Sequence, residues 1–291
     1  AGDRLLVLLS QRFSRYVDKS DILARIGGDE FALLFAGPGS TQRATEATSS
    51  ILAAMDAPLR IEGRDVRVSV TIGLSSVANG RAAPLYKQAD IALYEAKKAG
   101  RGQCLTFAAG MKDNLIRRRQ LGEDLYAATG RGEMHLAFQP LVELDTKLTR
   151  GFEALLRWIH PQFGPVSPAE FIPIAEDGGQ IVSIGRWVVD EALHQAAQWP
   201  SHILIALNAS ARQLMDVGFP DHVHECLRRY GVDASRLEIE ITETTLIEND
   251  ETALSVLHRL RAMGCRISLD DFGTGYASLS YLRRFPFDKV K

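Results

Sequence analysis

The sequence predicts two domains in tandem: an α+β domain, then an α/β domain built on a parallel sheet. Three observations carry that prediction. Strand-like runs at 135–144, 150–156, 203–208, 237–242, 266–270 and 288–291 alternate with helix-like runs near 168–176, 179–199, 211–230, 250–263 and 276–284, the pattern of a parallel sheet. Within those strands, polar or small residues fall on one alternation and apolar residues on the other. The first hundred residues instead mix helical periodicity with short apolar runs joined by glycine turns. A chain of 291 residues is long enough for both domains.

In the first domain, Leu5, Leu6, Leu9 and Phe13 fall at helical spacing, with Asp3 as an N-cap. Ile22–Ile26 and Phe31–Phe35 flank Gly27-Gly28-Asp29-Glu30 and read as a β-hairpin. Gly37-Pro38-Gly39-Ser40 is a loop ending in a capping serine, and a helix over 41–57 follows. Val66–Leu74 alternates as a strand. Pro84 opens a helix that Gly100 closes, and Leu105–Ala108 is a last strand. The division expected is 1–108 for this domain, 109–132 for a polar helical joint carrying Arg117-Arg118-Arg119, and 133–291 for the second domain.

In the second domain Gly151, Glu153 and Leu155 share one face of a strand. Leu204, Ala206 and Asn208 share one face of the next, Glu238 and Glu240 of another, and Ser268 and Asp270 of a fourth. One face is therefore apolar and packs on helices. The other carries Glu153, Asn208, Glu240 and Asp270 at or near strand ends. A (β/α) barrel fits, because its site sits at the C-terminal ends of its strands; an open doubly wound sheet is the alternative. The stretch Ser268–Leu279 runs a strand into Asp270 and Asp271 and then into Gly273 and Gly275. The flexible loop lets both acids turn toward one ion, although two acids that merely cap a strand and start a turn are the plain alternative. Glu153, Asn208, Glu240, Asp270 and Asp271 offer only oxygen donors, which suits Mg²⁺ or Mn²⁺ and not zinc. Lys291 follows on the next strand and is placed to orient a water. Arg157, four residues after Glu153, is placed to meet a phosphate.

The formal net charge is −2, which leaves no basic footprint for duplex nucleic acid. No apolar run approaches the roughly 20 residues of a membrane span. Three scattered cysteines argue against a disulfide framework and for a reducing compartment. The expected location is the cytoplasm, with any membrane anchor in an upstream domain. His222, His224 and Cys226 invite a metal reading, but His224 points away from the other two on a helix.

Glu153-Ala-Leu-Leu-Arg-Trp158 together with Asp270-Asp271-Phe-Gly-Thr-Gly-Tyr276 resembles the EAL family of cyclic di-GMP phosphodiesterases. Arg25-Ile-Gly-Gly-Asp-Glu-Phe31 resembles the GGDEF family of diguanylate cyclases. The resemblance implies an α+β GGDEF domain followed by an α/β EAL domain, a TIM-like (β/α) barrel. It implies that Glu153, Asn208, Glu240, Asp270 and Asp271 hold metal and that Glu243 steadies the loop after the paired aspartates. It implies that Lys291 contacts the nucleophilic water and that Gln139 and Arg157 contact substrate. In the first domain it implies that Asp29 is a metal ligand with Glu30 beside it, that Asp3 contacts guanine, and that Lys97 and Arg101 contact phosphate. The partners implied are cyclic di-GMP, GTP at the GGDEF domain, and a second copy of the chain. The implied reaction is hydrolysis of cyclic di-GMP to linear pGpG. A non-catalytic receptor and a bifunctional enzyme with cyclase activity are the alternatives. Two departures stand out. Asp18 replaces the arginine that the family's inhibitory product site has three residues before the acid at Asp21. The family also places ligands before Ala1 and further strands after Lys291. The expectation is thus an internal fragment truncated at both ends, with an incomplete barrel, unstable and weakly active alone.

Overall fold

The structure, a computed structural model, describes residues 2–76, 84–242, 250–270 and 285–291. The chain divides into two compact units, residues 1–117 and 118–291.

The first unit opens with α1 (Gly2–Phe13). Asp3 lies in its first turn and is not its cap; the carboxylate still meets the positive end of the helix there. Strands β1 (Ile22–Gly27) and β2 (Glu30–Leu34) pair antiparallel, with a bulge between Arg25 and Gly27. Helix α2 (Ser40–Ala54) is preceded by Gly39 in the left-handed region, so Ser40 starts the helix and does not cap it. Arg12 Nη1 donates to Ala54 O at the end of this helix and to Ala57 O just beyond it, each at 2.8 Å.

The strand expected over Val66–Leu74 is split in two. β3 (Leu59–Ile61) and β4 (Arg64–Val66) form a hairpin, and β5 (Ile72–Leu74) stands apart. β5 pairs parallel with β6 (Cys104–Thr106) across helix α3 (Leu85–Lys98). A parallel pair needs such a crossover. Gly73 lets that helix lie on the strand: a Cβ there would stand 2.0 Å from Ala89 O. The core joins Leu9 and Phe13 to Ile51, Met55, Leu59 and Ile61, with Phe31 edge-on to Phe13.

Helix α4 (Ala109–Ala128) leads into the second unit. Its sheet is built from β7 (Met134–Val142), β8 (Thr149–His160), β10 (Leu204–Asn208), β11 (Leu237–Thr242), β12 (Arg266–Asp270) and β13 (Lys289–Val290), side by side in that order; β9 (Gly164–Val166) adds to the far edge of β8. β8 and β10 to β13 pair parallel, as expected. β7 does not: it pairs antiparallel with β8, because the short 143–148 connection holds no crossover helix. The sheet is thus an open, incomplete barrel wall.

Helices α5 (Pro168–Gly178), α6 (Ile181–Ala196), α7 (Ala211–Leu214), α8 (Phe219–Tyr230) and α9 (Asp250–Ala262) supply the other layer. The helix expected over 211–230 is two helices. Asp216 accepts from Gly218 N at 3.0 Å in the break, and Pro220 restarts the helix. The helix expected at 276–284 lies outside the described residues.

The apolar alternation of the strands forms the core. Ile205, Leu207, Leu237, Ile239, Ile241, Ile267 and Leu269 are all buried against α6, α8 and α9. A second cluster packs Leu121, Leu125 and Ala128 of α4 on Trp158 and Phe171. Polar contacts fasten this edge. His160 accepts from Gln162 N and Phe163 N at Nδ1, so its Nε2–H donates to Asp124 at 3.0 Å. Trp158 Nε1 donates to Glu133 at 3.0 Å. No helix among the described residues is long and apolar enough to cross a membrane.

Candidate active site

Register decides which side chains share the face turned away from the helices. Gln139 on β7 lies opposite Glu153 on β8, and Glu153 is level with Ala206 on β10. Asn208 is level with Glu240, and Glu240 with Ser268. Asp270 is level with Thr242, and Lys289 with Ser268. Residues level with one another, and those two apart on a strand, point the same way. Gln139, Glu153, Asn208, Glu240 and Asp270 therefore share one face. Asn208 and Asp270 close β10 and β12 and Glu240 lies near the end of β11, at the C-terminal side where a barrel keeps its chemistry, whereas Glu153 lies nearer the start of β8.

Two contacts organise this face. Asn208 Nδ2 donates to Glu153 Oε1 at 2.7 Å, which turns the amide oxygen of Asn208 outward as an acceptor. The Lys291 ammonium donates to Glu240 Oε1. Glu240 is fully buried, and its Oε2 has no hydrogen-bond partner among the described residues. Burial pushes the Glu240 carboxyl above its ordinary range. The Lys291 contact opposes that shift, and the charges of Glu153 and Glu238 add to it. Burial works against the Lys291 ammonium, but the hydrogen bond and charge of Glu240, helped by Asp270 and Glu153, raise it above the usual lysine value.

The donor chemistry of this face suits a hard divalent cation. Every candidate donor is an oxygen. Glu240 Oε2 is a buried, orphaned acceptor, which is costly unless something positive meets it. The acids are more spread than the sequence suggests, however. Among the described residues no three His, Cys, Asp or Glu side chains converge tightly enough to hold an ion. Adjacent strands lie about 4.8 Å apart, so β10 alone separates Glu153 from Glu240 by roughly 10 Å of backbone, and Lys291 holds one oxygen of Glu240. Asp271 and Glu243, expected as ligand and loop-steadying acid, lie outside the described residues, as do Gly273 and Gly275.

Arg157 is half-buried, and its Nη1 donates to Leu156 O at 2.9 Å. Gln139 is exposed. In the first unit Asp29 lies in the β1–β2 turn, where Arg25 clamps Gly28 O at 2.7 Å, and Glu30 opens β2. Lys97 lies in the last turn of α3, and Arg101 follows with φ +55°; Asp3, Asp29, Glu30, Lys97 and Arg101 are all exposed. Asp21 is already engaged: it accepts from Arg43 at 2.9 Å and from Ala36 N at 3.1 Å. His222 Nε2 lies 2.9 Å from Arg186 O and 3.6 Å from Cys226 Sγ, and His224 lies elsewhere, beside Arg228 and Met263.

Sequence reasoning assigned no role to three residues on this face, although it placed Glu238 and Ser268 there. Lys289 pairs with Glu238 at 3.3 Å, and Ser268 buries an unpartnered hydroxyl between the two acid–lysine contacts. The available signal was the matched spacing of Glu238 and Glu240 against Lys289 and Lys291.

The described residues thus join an α+β unit to a parallel sheet that carries oxygen donors on one face. The chain belongs to the EAL domain family, whose match covers residues 122–291, and residues 1–103 match the family described as diguanylate cyclase, GGDEF domain. It is 39% identical over 296 residues to the bifunctional diguanylate cyclase/cyclic di-GMP phosphodiesterase MucR of Pseudomonas aeruginosa, covering 100% of this chain and 43% of MucR. It is 37% identical over 296 residues to the cyclic di-GMP phosphodiesterase PdeR of Escherichia coli K12, covering 100% of this chain and 44% of PdeR. Among solved structures, a MucR phosphodiesterase in complex with c-di-GMP matches with 43% identity and a TM-score of 0.56, over 59% of this chain and 71% of that one. The chain spans 35% to 44% of the length of these and two other curated relatives that it matches.

Proposed function

We propose that the protein carrying this chain hydrolyses cyclic di-GMP to linear pGpG at the EAL face. The observation that carries the proposal is Glu240: a buried carboxylate with one oxygen on Lys291 and one orphaned, beside the Asn208–Glu153 pair. Glu153, Asn208, Glu240, Asp270 and Asp271 would hold Mg²⁺ or Mn²⁺. Such an ion, when bound, lowers the pKa of water and offsets charge on phosphoryl oxygens. Lys291, as an ammonium, only donates; it orients the attacking water and cannot accept its proton. Arg157 and Gln139 contact the substrate, the guanidinium meeting phosphate oxygens in place of its present carbonyl. One P–O3′ bond breaks, a P–O bond to water forms, and the water's proton ends on the departing 3′ oxygen.

The test is conversion of cyclic di-GMP by the full-length protein with Mg²⁺ or Mn²⁺, against an Asp270→Asn control. Metal-dependent pGpG from the wild type alone is expected. Equal yield from the control refutes the assignment.

A second reading has its own support. Lys291 on Glu240 Oε1 and the spread of the acids suit a receptor that binds cyclic di-GMP without turnover. Saturable binding with no metal-dependent product would favour it. For the GGDEF half we infer GTP binding through Asp3, Asp29, Glu30, Lys97 and Arg101. Cyclase activity there would need a homodimer, because the reaction joins two GTP-loaded domains.

A further inference from the structure

Two acid–lysine contacts stride over β12. Glu240 holds Lys291, and Glu238, two residues earlier on β11, holds Lys289 at 3.3 Å. Both acids are buried, Glu238 with 5% of its surface exposed and Glu240 with none. β12 satisfies neither through Ser268, whose Oγ has no partner among the described residues. The two acids lie about 7 Å apart along one strand, and so do the two lysine backbones along the other. A lysine stem is long and flexible, so each ammonium is within reach of the wrong acid once that acid is left unpaired.

We propose that Glu238 and Lys289 are a positioning pair for the phosphodiesterase site: by holding each other they leave Lys291 to Glu240 alone. Lys289 neutralises Glu238, whose bare charge would draw Lys291 back along the strand. Glu238 in turn keeps the Lys289 ammonium from Glu240. The register of β13 is held by other means. Asp288 N donates to Ile267 O at 2.8 Å, its Oδ2 accepts from Ile267 N at 2.9 Å, and its carboxylate pairs with Arg261 at 3.1 Å. Lys291 N donates to Leu269 O at 2.8 Å. Neutralising Lys289 therefore alters the charges on the face and leaves the strand in place.

The kinetic arm rests on the proposed hydrolysis; a crystallographic arm does not. In Mn²⁺-dependent turnover of cyclic di-GMP by the full-length protein, Lys289→Met and Glu238→Gln each lower kcat about tenfold, as for loss of a group that orients a metal-site residue. KM stays within about twofold, since substrate contacts are untouched. Lys289→Arg keeps wild-type kcat. The Glu238→Gln/Lys289→Met double variant recovers to within about threefold of wild type, because no competing charge remains. A double variant as impaired as the singles, with losses that track the melting temperature, overturns the proposal; so do singles with unchanged kcat. If the wild type does not hydrolyse cyclic di-GMP, it is the proposed function that fails. Crystal structures of wild type and Lys289→Met then decide the pair: Lys291 drawn toward Glu238 in the variant supports it, and Lys291 unmoved on Glu240 overturns it.

Discussion

Gly151 couples the stability of the barrel wall to the geometry of its site. It is buried on β8, level with Leu204 at the start of β10. A Cβ at this position would stand 2.7 Å from Leu204 O and 2.8 Å from Leu204 Cβ. Ordinary contact begins near 3.5 Å, so Gly151→Ala forces the two strands apart by roughly 0.7 Å at this level. Overpacking of this kind costs about 1–3 kcal/mol. In a domain of this size each kcal/mol lowers Tm by roughly 2–4 °C. The strain also reaches the chemistry. Glu153 lies two residues along β8 and Asn208 four along β10, and the 2.7 Å hydrogen bond between them must lengthen or turn. We expect Gly151→Ala to melt several degrees lower and to lose about tenfold in metal-dependent turnover, in keeping with the cost of small displacements in a site. The control is Gly110→Ala in α4, where a Cβ meets nothing within 4 Å; it should be neutral or stabilising by up to about 1 kcal/mol. Thermal unfolding by circular dichroism and the hydrolysis assay read both effects. A Gly151→Ala protein that melts and turns over as wild type refutes the packing argument.

Two further outcomes follow from the surroundings of single groups. The Asp124 carboxyl is held below its ordinary range by Gln120, then by His160, against some desolvation and with help from Arg131. A depressed carboxylate stabilises the fold above its unfolded pKa of about 4 and loses that contribution as pH falls through the folded value. Denaturant midpoints measured across the acid limb should therefore fall more steeply for wild type than for Asp124→Asn; parallel curves would contradict the assignment. The Cys226 thiol is pushed up to about 12, by burial first and then by Asp190. It should resist alkylation at mildly alkaline pH in the native protein and react on unfolding. Labelling of Cys226 in the native state would show that α6 and α8 open there.

Period and local chemistry were legible because they are written in neighbours. The period-two alternation of Leu237–Thr242 and Arg266–Asp270 gave both strands and the correct outward apolar face. The same alternation gave Glu153, Asn208, Glu240 and Asp270 a common side. What stretches of sequence could not convey was who meets whom across distance. The antiparallel pairing of β7 with β8 turns on a short connection. The division of Val66–Leu74 turns on its two ends taking different partners, Val66 with β3 and Ile72–Leu74 with β6. The break in 211–230 turns on Asp216 and Pro220 acting together.

At the site the division is sharper. The sequence by itself determined the chemical kind of the face, oxygen donors at parallel strand ends with a lysine beside them, because residue type and alternation suffice for that. Only the tertiary structure decided the pairings: Asn208 on Glu153, Lys291 on Glu240, and Lys289 on Glu238 across an intervening strand. The last two join residues 51 positions apart. Such contacts exist only once five parallel strands have settled in register, and register is a property of the assembled sheet and not of any one strand.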